Sequence, residues 1–364
     1  MSKVTFDNSS RQLFQAIKSS ADAYFNGQNL KKTGDWRLYL KTWTLVPGGV
    51  AVYLYFLFGN YNVLGGIALS FLFGLLLVAI AFNVMHDACH GSYSDRKWIN
   101  SFMGLSMNAL GGNAYLWKIK HNIIHHTYTN IEGVDDDIAN GFLLRQTPHQ
   151  RWRPIHRFQF LYMFFLYAIS TIVWAFGTDF LKYFTKKIHK TPINRIGWKE
   201  HVLFWASKAA YVFVYALLPM YLLGWEAWLV GFLIIHATMG LALSIVFQLA
   251  HAVEKTTFYD ASEGDKAFPT EWAVHEIKTT ANFAPTNKVI SWLTGGLNFQ
   301  IEHHLFPHVS HVHYPALSKI VRRQCEAFGL PYHYYPTMGK AILSHISLMK
   351  TLGESRYPRV KGLF

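Results

Sequence analysis

The chain has 364 residues, with 34 Lys and Arg against 21 Asp and Glu, a net charge of +13. Only 15% of residues are charged and half are apolar, against roughly 25% charged in a soluble domain. Such a composition excludes disorder, and it argues against a soluble nucleic-acid binder despite a pI near 9.5. A mean hydropathy of +0.12 still leaves room for a large polar part. Nineteen histidines are the entry in this composition that hydropathy does not explain. Two cysteines, Cys89 and Cys325, make no disulfide framework.

Residues 1–42 form a basic N-terminal segment with no apolar run of the kind a secretory signal requires. Leu13, Ile17, Ala21 and Tyr24 make one helical stripe. It suits either a membrane surface or the protein's own polar part. From Trp43 to Val84 there is no Asp, Glu, Lys or Arg. A span needs about 20 apolar residues, so two are expected, at 43–60 and 62–84, turning at Gly59-Asn60-Tyr61-Asn62. A second such stretch, Ala209 to Val253, is broken only by Glu226. It predicts spans at 202–222 and 227–248, with Lys208 snorkelling to the interface. Residues 99–116 and 158–176 are expected to form interfacial or buried helices.

Neither hairpin turn carries Lys or Arg. The positive-inside rule then puts both termini and both large polar segments in the cytoplasm. The expectation is an all-α, multi-pass protein of the cytoplasmic membrane. Four transmembrane helices in two hairpins carry a helical cytosolic cap with a di-metal site, in one domain over 43–364. Its basic charge is matched to the headgroups of the lipid bilayer, and no nucleic acid is expected.

Three histidine groups stand out. They are His86-Asp87-Ala88-Cys89-His90, His121-Asn122-Ile123-Ile124-His125-His126 and Gln300-Ile301-Glu302-His303-His304. Residues at i and i+4 share a helical face, so His86 with His90, and His121 with His125, can converge on metal. The adjacent pairs 125/126 and 303/304 can point to two neighbouring metals. Imidazole suits Fe, Zn, Cu or Ni. His251 follows the fourth span at the depth of His86 and is an eighth candidate ligand. His275 is a weaker one, and His236, His308, His311 and His313 read as structural. Asp87, Asn122, Glu302 and the run Asp135-Asp136-Asp137 are candidates to orient imidazoles. Gln300 is placed to bond a metal-bound water. Lys118, Lys120, Arg145, Arg151, Arg153 and Arg157 are candidate headgroup contacts.

The boxes HDACH, HNIIHH and QIEHH resemble those of the membrane fatty acid desaturase family. The flanking stretches YLWKIKHNIIHHTYTNIEGVDDDI, EWAVHEIKTTANFAP and GGLNFQIEHHLFPHVSHVHYP are similar to its front-end subgroup, which includes bacterial and cyanobacterial delta-6 and linoleoyl-CoA types. The resemblance runs from about residue 43 to the C-terminus. It implies two irons held by His86, His90, His121, His125, His126, His303 and His304, and it supports His251. It also implies O2 as co-substrate, an acyl-CoA or acyl-lipid substrate and a cis double bond as product. Some relatives carry a fused haem domain with a His-Pro-Gly-Gly motif. Here Val46 precedes Pro47-Gly48-Gly49. A separate donor, ferredoxin or a cytochrome b5 with its reductase, is therefore expected. A membrane di-iron hydroxylase or monooxygenase fits the same boxes. A metal transporter is disfavoured because the histidines fall outside the spans. A non-catalytic His-rich lipid-binding protein is the remaining alternative.

Overall fold

A computed structural model describes residues 4–354 except 10, 140 and 194. The fold is helical, and its strands form only two-stranded pairings among the described residues. The N-terminal helix α1, Gln12–Gly27, buries Leu13, Ile17, Ala21 and Phe25. Leu13 and Ile17 pack on Ala273, Ile277, Ile301 and Val321. The stripe thus lies on the protein's own polar part, and it runs on to Phe25 rather than Tyr24.

Helix α2, Trp36–Phe58, is capped by the Asp35 side chain on the Arg37 amide. Helix α3, Val63–His90, is capped by Asn62 on Gly65. The two pack side by side as a hairpin. Helix α4, Lys97–Gly104, and a helical stretch α5 over residues 114–128 carry the chain to the second histidine box. Helices α6, Pro154–Thr185, α7, Trp198–Leu223, and α8, Trp225–His251, follow. Short helices α9, Trp272–Thr279, and α10, Gln300–Leu305, then lead to α11, Tyr314–Ala327, and α12, Met338–Gly353.

Four helices, α3, α6, α7 and α8, have the length and apolarity of a membrane span. Their most apolar windows are 39%, 22%, 22% and 39% buried in the protein, so most of that apolar surface faces outward. A surface of this kind belongs in lipid. Three of these helices cover the expected segments 62–84 (from Val63), 202–222 and 227–248. The fourth, α6, contains 158–176, read from the sequence as an interfacial or buried helix. It has the length and apolarity of a span, but a crossing added there would put His90 and His251 on opposite faces, whereas they share one site. Periodicity over 158–176 alone misses its extension on both sides. The remaining expected segment, 43–60, lies mostly in α2, whose Trp, Tyr, Pro and Gly residues dilute its apolarity.

Helix α8 is the centre of the bundle, packed against both α3 and α6. At Gly240 a β-carbon would come within 2.3 Å of the Tyr167 carbonyl oxygen. Only glycine allows α6 and α8 to approach so closely. Lys208 does not snorkel. It is buried, and its ammonium bonds Asp179 at 2.9 Å, the Gly111 carbonyl at 2.7 Å and the Ala175 carbonyl at 2.9 Å. With Asp179 available on α6, pairing inside replaces reaching outward.

Candidate metal centre

The first and second boxes sit where helices depart from α geometry. A π-helical turn, Ala81–Met85, precedes His86, and a second, Ile119–His125, contains His121 and His125. A π-turn widens the repeat, so residues four and five apart share one side. That brings His121, His125 and His126 to a common face. His90 is the last residue of α3 and His251 the last of α8. Both helices therefore end at the same site, away from the middle of the bundle.

All eight predicted histidines converge there. Ring nitrogens of His86, His90, His121 and His303 lie within 4.8 Å of one another, as do those of His125, His251 and His304. The rings of His86 and His303 are 4.5 Å apart, and His125 and His251 approach to 3.3 Å between Nε2 atoms. His126 lies between the groups. Its ring is 4.5 Å from His303 and 4.4 Å from His304, and its Nε2 is 3.2 Å from that of His121. Adjacent residues 303 and 304 thus serve different groups.

These rings suit a pair of metal ions. His86 Nε2, both nitrogens of His90, His126 Nδ1, His303 Nε2 and His304 Nε2 are buried without a protein partner. Each unpaired buried group costs roughly 1–3 kcal/mol, and a metal cation supplies the missing partner. Burial, reinforced by neighbouring imidazoles, pushes the pKa of His121, His126, His303 and His304 well down. They stay neutral, the form that binds metal. Burial also works against charge on His125, but Asp135 and Asp137 beside it prevail and raise its pKa.

A model of the fatty acid desaturase family matches residues 61–336. The sn-1 linoleoyl-lipid 6-desaturase of Arthrospira platensis is 34% identical over the whole chain and 97% of its own length. The chain belongs to the fatty acid desaturase family. The enzyme of the same name from Synechocystis is also 34% identical, over 94% of this chain and 95% of its own. An acyl-lipid (8-3)-desaturase of Physcomitrium patens is 29% identical over 96% of this chain and 74% of its own. This desaturase is accordingly an oxygen-dependent oxidoreductase and a membrane protein, and its buried histidine clusters fit a two-iron site.

Several residues around the desaturase's histidines differ in role from the sequence expectation. Asp87 does not orient a clustered imidazole. It accepts from Ser310 Oγ at 2.7 Å and faces His311 Nδ1 at 3.0 Å, and His311 Nε2 meets the Lys41 ammonium at 3.0 Å. Asn122 donates to the Cys89 carbonyl at 2.9 Å, tying α5 to the end of α3. Glu302 accepts from Asn282 and Tyr332 at 2.8 and 2.9 Å. On a short helix, its side chain points away from the neighbouring His303. Gln300 is buried beside the third box with its Nε2 unpartnered.

Among the basic candidates, Arg145 is buried. Its guanidinium donates to the carbonyls of Gln150, Leu352 and Pro148, each at 2.9 Å. It ties the C-terminal helix to the 145–150 loop and does not reach a headgroup. Lys120 is engaged by Asp136 and Asp137. Lys118 is half-buried beside Gly104, and Arg153 is exposed with its guanidinium over Phe142. His275 bonds the Thr129 carbonyl at 2.9 Å and joins neither group, while His236 bonds Tyr211 and Thr171.

Two imidazole partners escaped the sequence reading. Glu276 Oε2 faces His304 Nδ1 at 2.7 Å, and the Tyr314 hydroxyl faces His303 Nδ1 at 3.0 Å. Glu276 follows a histidine that looked like the signal of that segment, and nothing in local spacing singles it out. The Asp135-Asp136-Asp137 run does reach an imidazole. Asp135 Oδ2 and Asp137 Oδ2 lie 3.1 and 3.3 Å from His125 Nδ1.

Proposed function

We propose that this protein is a di-iron acyl-lipid desaturase that inserts a cis double bond at or near the delta-6 position of an 18-carbon chain. The observation that carries this reading is the pairing of two buried histidine groups at the ends of α3 and α8. Full-length similarity to two enzymes named sn-1 linoleoyl-lipid 6-desaturases supports the position and the carrier.

An unactivated methylene offers neither an acidic proton nor a leaving group. When bound, two irons supply the oxygen-reducing and hydrogen-abstracting chemistry that side chains lack. His86, His90, His121 and His303 would hold one ion, and His125, His251 and His304 the other, with His126 between them. Burial keeps His121, His126, His303 and His304 neutral, and the chain's own groups fix the tilt of the rings and exclude water. Trp117 stacks on His121 at 4.4 Å and meets His86 and His90 edge-on. Phe247 closes on His121 from α8. Both belong to an apolar core with Phe82, Met85, Met107 and Leu110. That wall supplies the apolar environment an acyl chain needs beside the rings. Lys118, Arg151, Arg153 and Arg157 are the candidate basic residues left for a headgroup.

The sorting of Lys and Arg puts both termini and the metal centre on the cytoplasmic side. Two electrons would come from a ferredoxin or a cytochrome b5-like protein, drawn by the basic face. The test is expression with a supplied donor, then mass spectrometry of total acyl lipids. A new cis alkene is expected that depends on oxygen and disappears in His125→Ala and His303→Ala. Hydroxylated chains without alkenes, or an unchanged profile, would refute this function.

A further inference from the structure

The two histidine groups are backed by different chemistry. In the His125, His251 and His304 group, every Nδ1 meets an acceptor. His125 faces Asp135 and Asp137, His304 faces Glu276 at 2.7 Å, and His251 faces the Thr279 carbonyl at 3.4 Å. The carboxylates are themselves held. The Asn130 amide donates to Asp135 at 3.0 Å, Lys120 pairs with Asp137, and Thr129 Oγ1 donates to Glu276 at 2.9 Å.

In the other group no ring of His86, His90, His121 or His303 pairs with a carboxylate among the described residues. Asp137 comes within 4.8 Å of a His121 ring nitrogen, but its close contact is with His125. Among the described residues only His303 has an oxygen behind it, the neutral Tyr314 hydroxyl. Asp87, the carboxylate nearest in sequence, is turned to His311 and Ser310. Asp135 and Glu276 therefore stand behind one group only.

A carboxylate behind the second nitrogen of a ligating imidazole fixes the ring's tautomer and raises its basicity. We infer that Asp135 and Glu276 are positioning residues for one metal only, so that the two metals are chemically inequivalent. The metal on His125, His251 and His304 receives the stronger electron donation. Its retention depends on these carboxylates, and retention of the other metal does not. This inference rests on the two-iron reading above.

The test uses the full chain, purified in detergent and loaded without oxygen with iron-57. Wild type is expected to hold two irons giving two Mössbauer quadrupole doublets of equal area. Glu276→Gln and Asp135→Asn should each weaken one iron by about 10–100-fold in chelator competition. They should displace one doublet and leave the other in place. Tyr314→Phe should displace the doublet that those variants spare. Either carboxylate variant suffices, provided it elutes as the wild type does on size exclusion. Loss of both irons together, equal movement of both doublets, or no change in either variant overturns the inference while leaving the two-iron reading intact. Fewer than two irons in the wild type overturns both.

Discussion

Removing Asp179 tests how the membrane bundle holds a buried charge. The Lys208 and Asp179 side chains are 7% and 3% exposed and 2.9 Å apart. Asp179 also accepts from Trp174 Nε1 at 2.9 Å. In Asp179→Ala the ammonium keeps only the Gly111 and Ala175 carbonyls, and a buried charge stranded this way costs about 3–5 kcal/mol. Unfolding entropy near 2.1 cal/mol/K per residue, over 364 residues, makes that a fall of roughly 5 °C in Tm. Replacing both partners, as Lys208→Met with Asp179→Leu, removes the charge and its counter-charge together. The double variant should recover most of the loss. The assay is a thermal shift of detergent-purified protein for wild type, both single variants and the double. If the double variant falls by the sum of the singles, the two residues are not coupled and the stranded-charge argument is wrong.

Arg145→Lys should lower Tm by a few degrees, because an ammonium cannot serve three carbonyls in the plane of a guanidinium. Arg153→Ala should leave Tm unchanged, and the pair of melts separates a structural arginine from an exposed one. Gly295→Ala should abolish recovery of folded protein on size exclusion. Its φ is +57°, and a β-carbon there would lie 2.3 Å from the Phe82 carbonyl oxygen, against the π-turn that leads into His86. Burial raises Glu132 to about 7, with Asp260 adding to the shift beyond two hydrogen bonds that oppose it. Its folded pKa exceeds its unfolded value, so the stability it contributes is full below about pH 4.5 and is lost as pH rises through 7. Glu132→Gln should flatten the fall in Tm between pH 5 and 8, and an unaltered slope would count against that assignment.

The sequence alone determined what depends on local spacing and on bulk charge. Uncharged runs long enough to cross a bilayer announce a membrane protein whatever their partners. Histidines four apart on one helix must share a face, so the first two boxes were legible as convergent groups, and the end of the fourth span put His251 at their depth. What the tertiary structure decided is how those residues are distributed. His303 joins His86, His90 and His121, and His304 joins His125 and His251, because neighbouring side chains on a short helix diverge. Asp87, Asn122, Glu302, Lys120 and Arg145 are engaged by distant or adjacent groups that packing brings near, which sequence proximity does not reveal. Glu276 stands behind His304 across 28 positions, and His251 meets His125 across 126. A hydrogen bond depends on where an atom lies in space to within a few tenths of an ångström. Periodicity fixes only a direction around a helix, and the meeting of two helices fixes the rest.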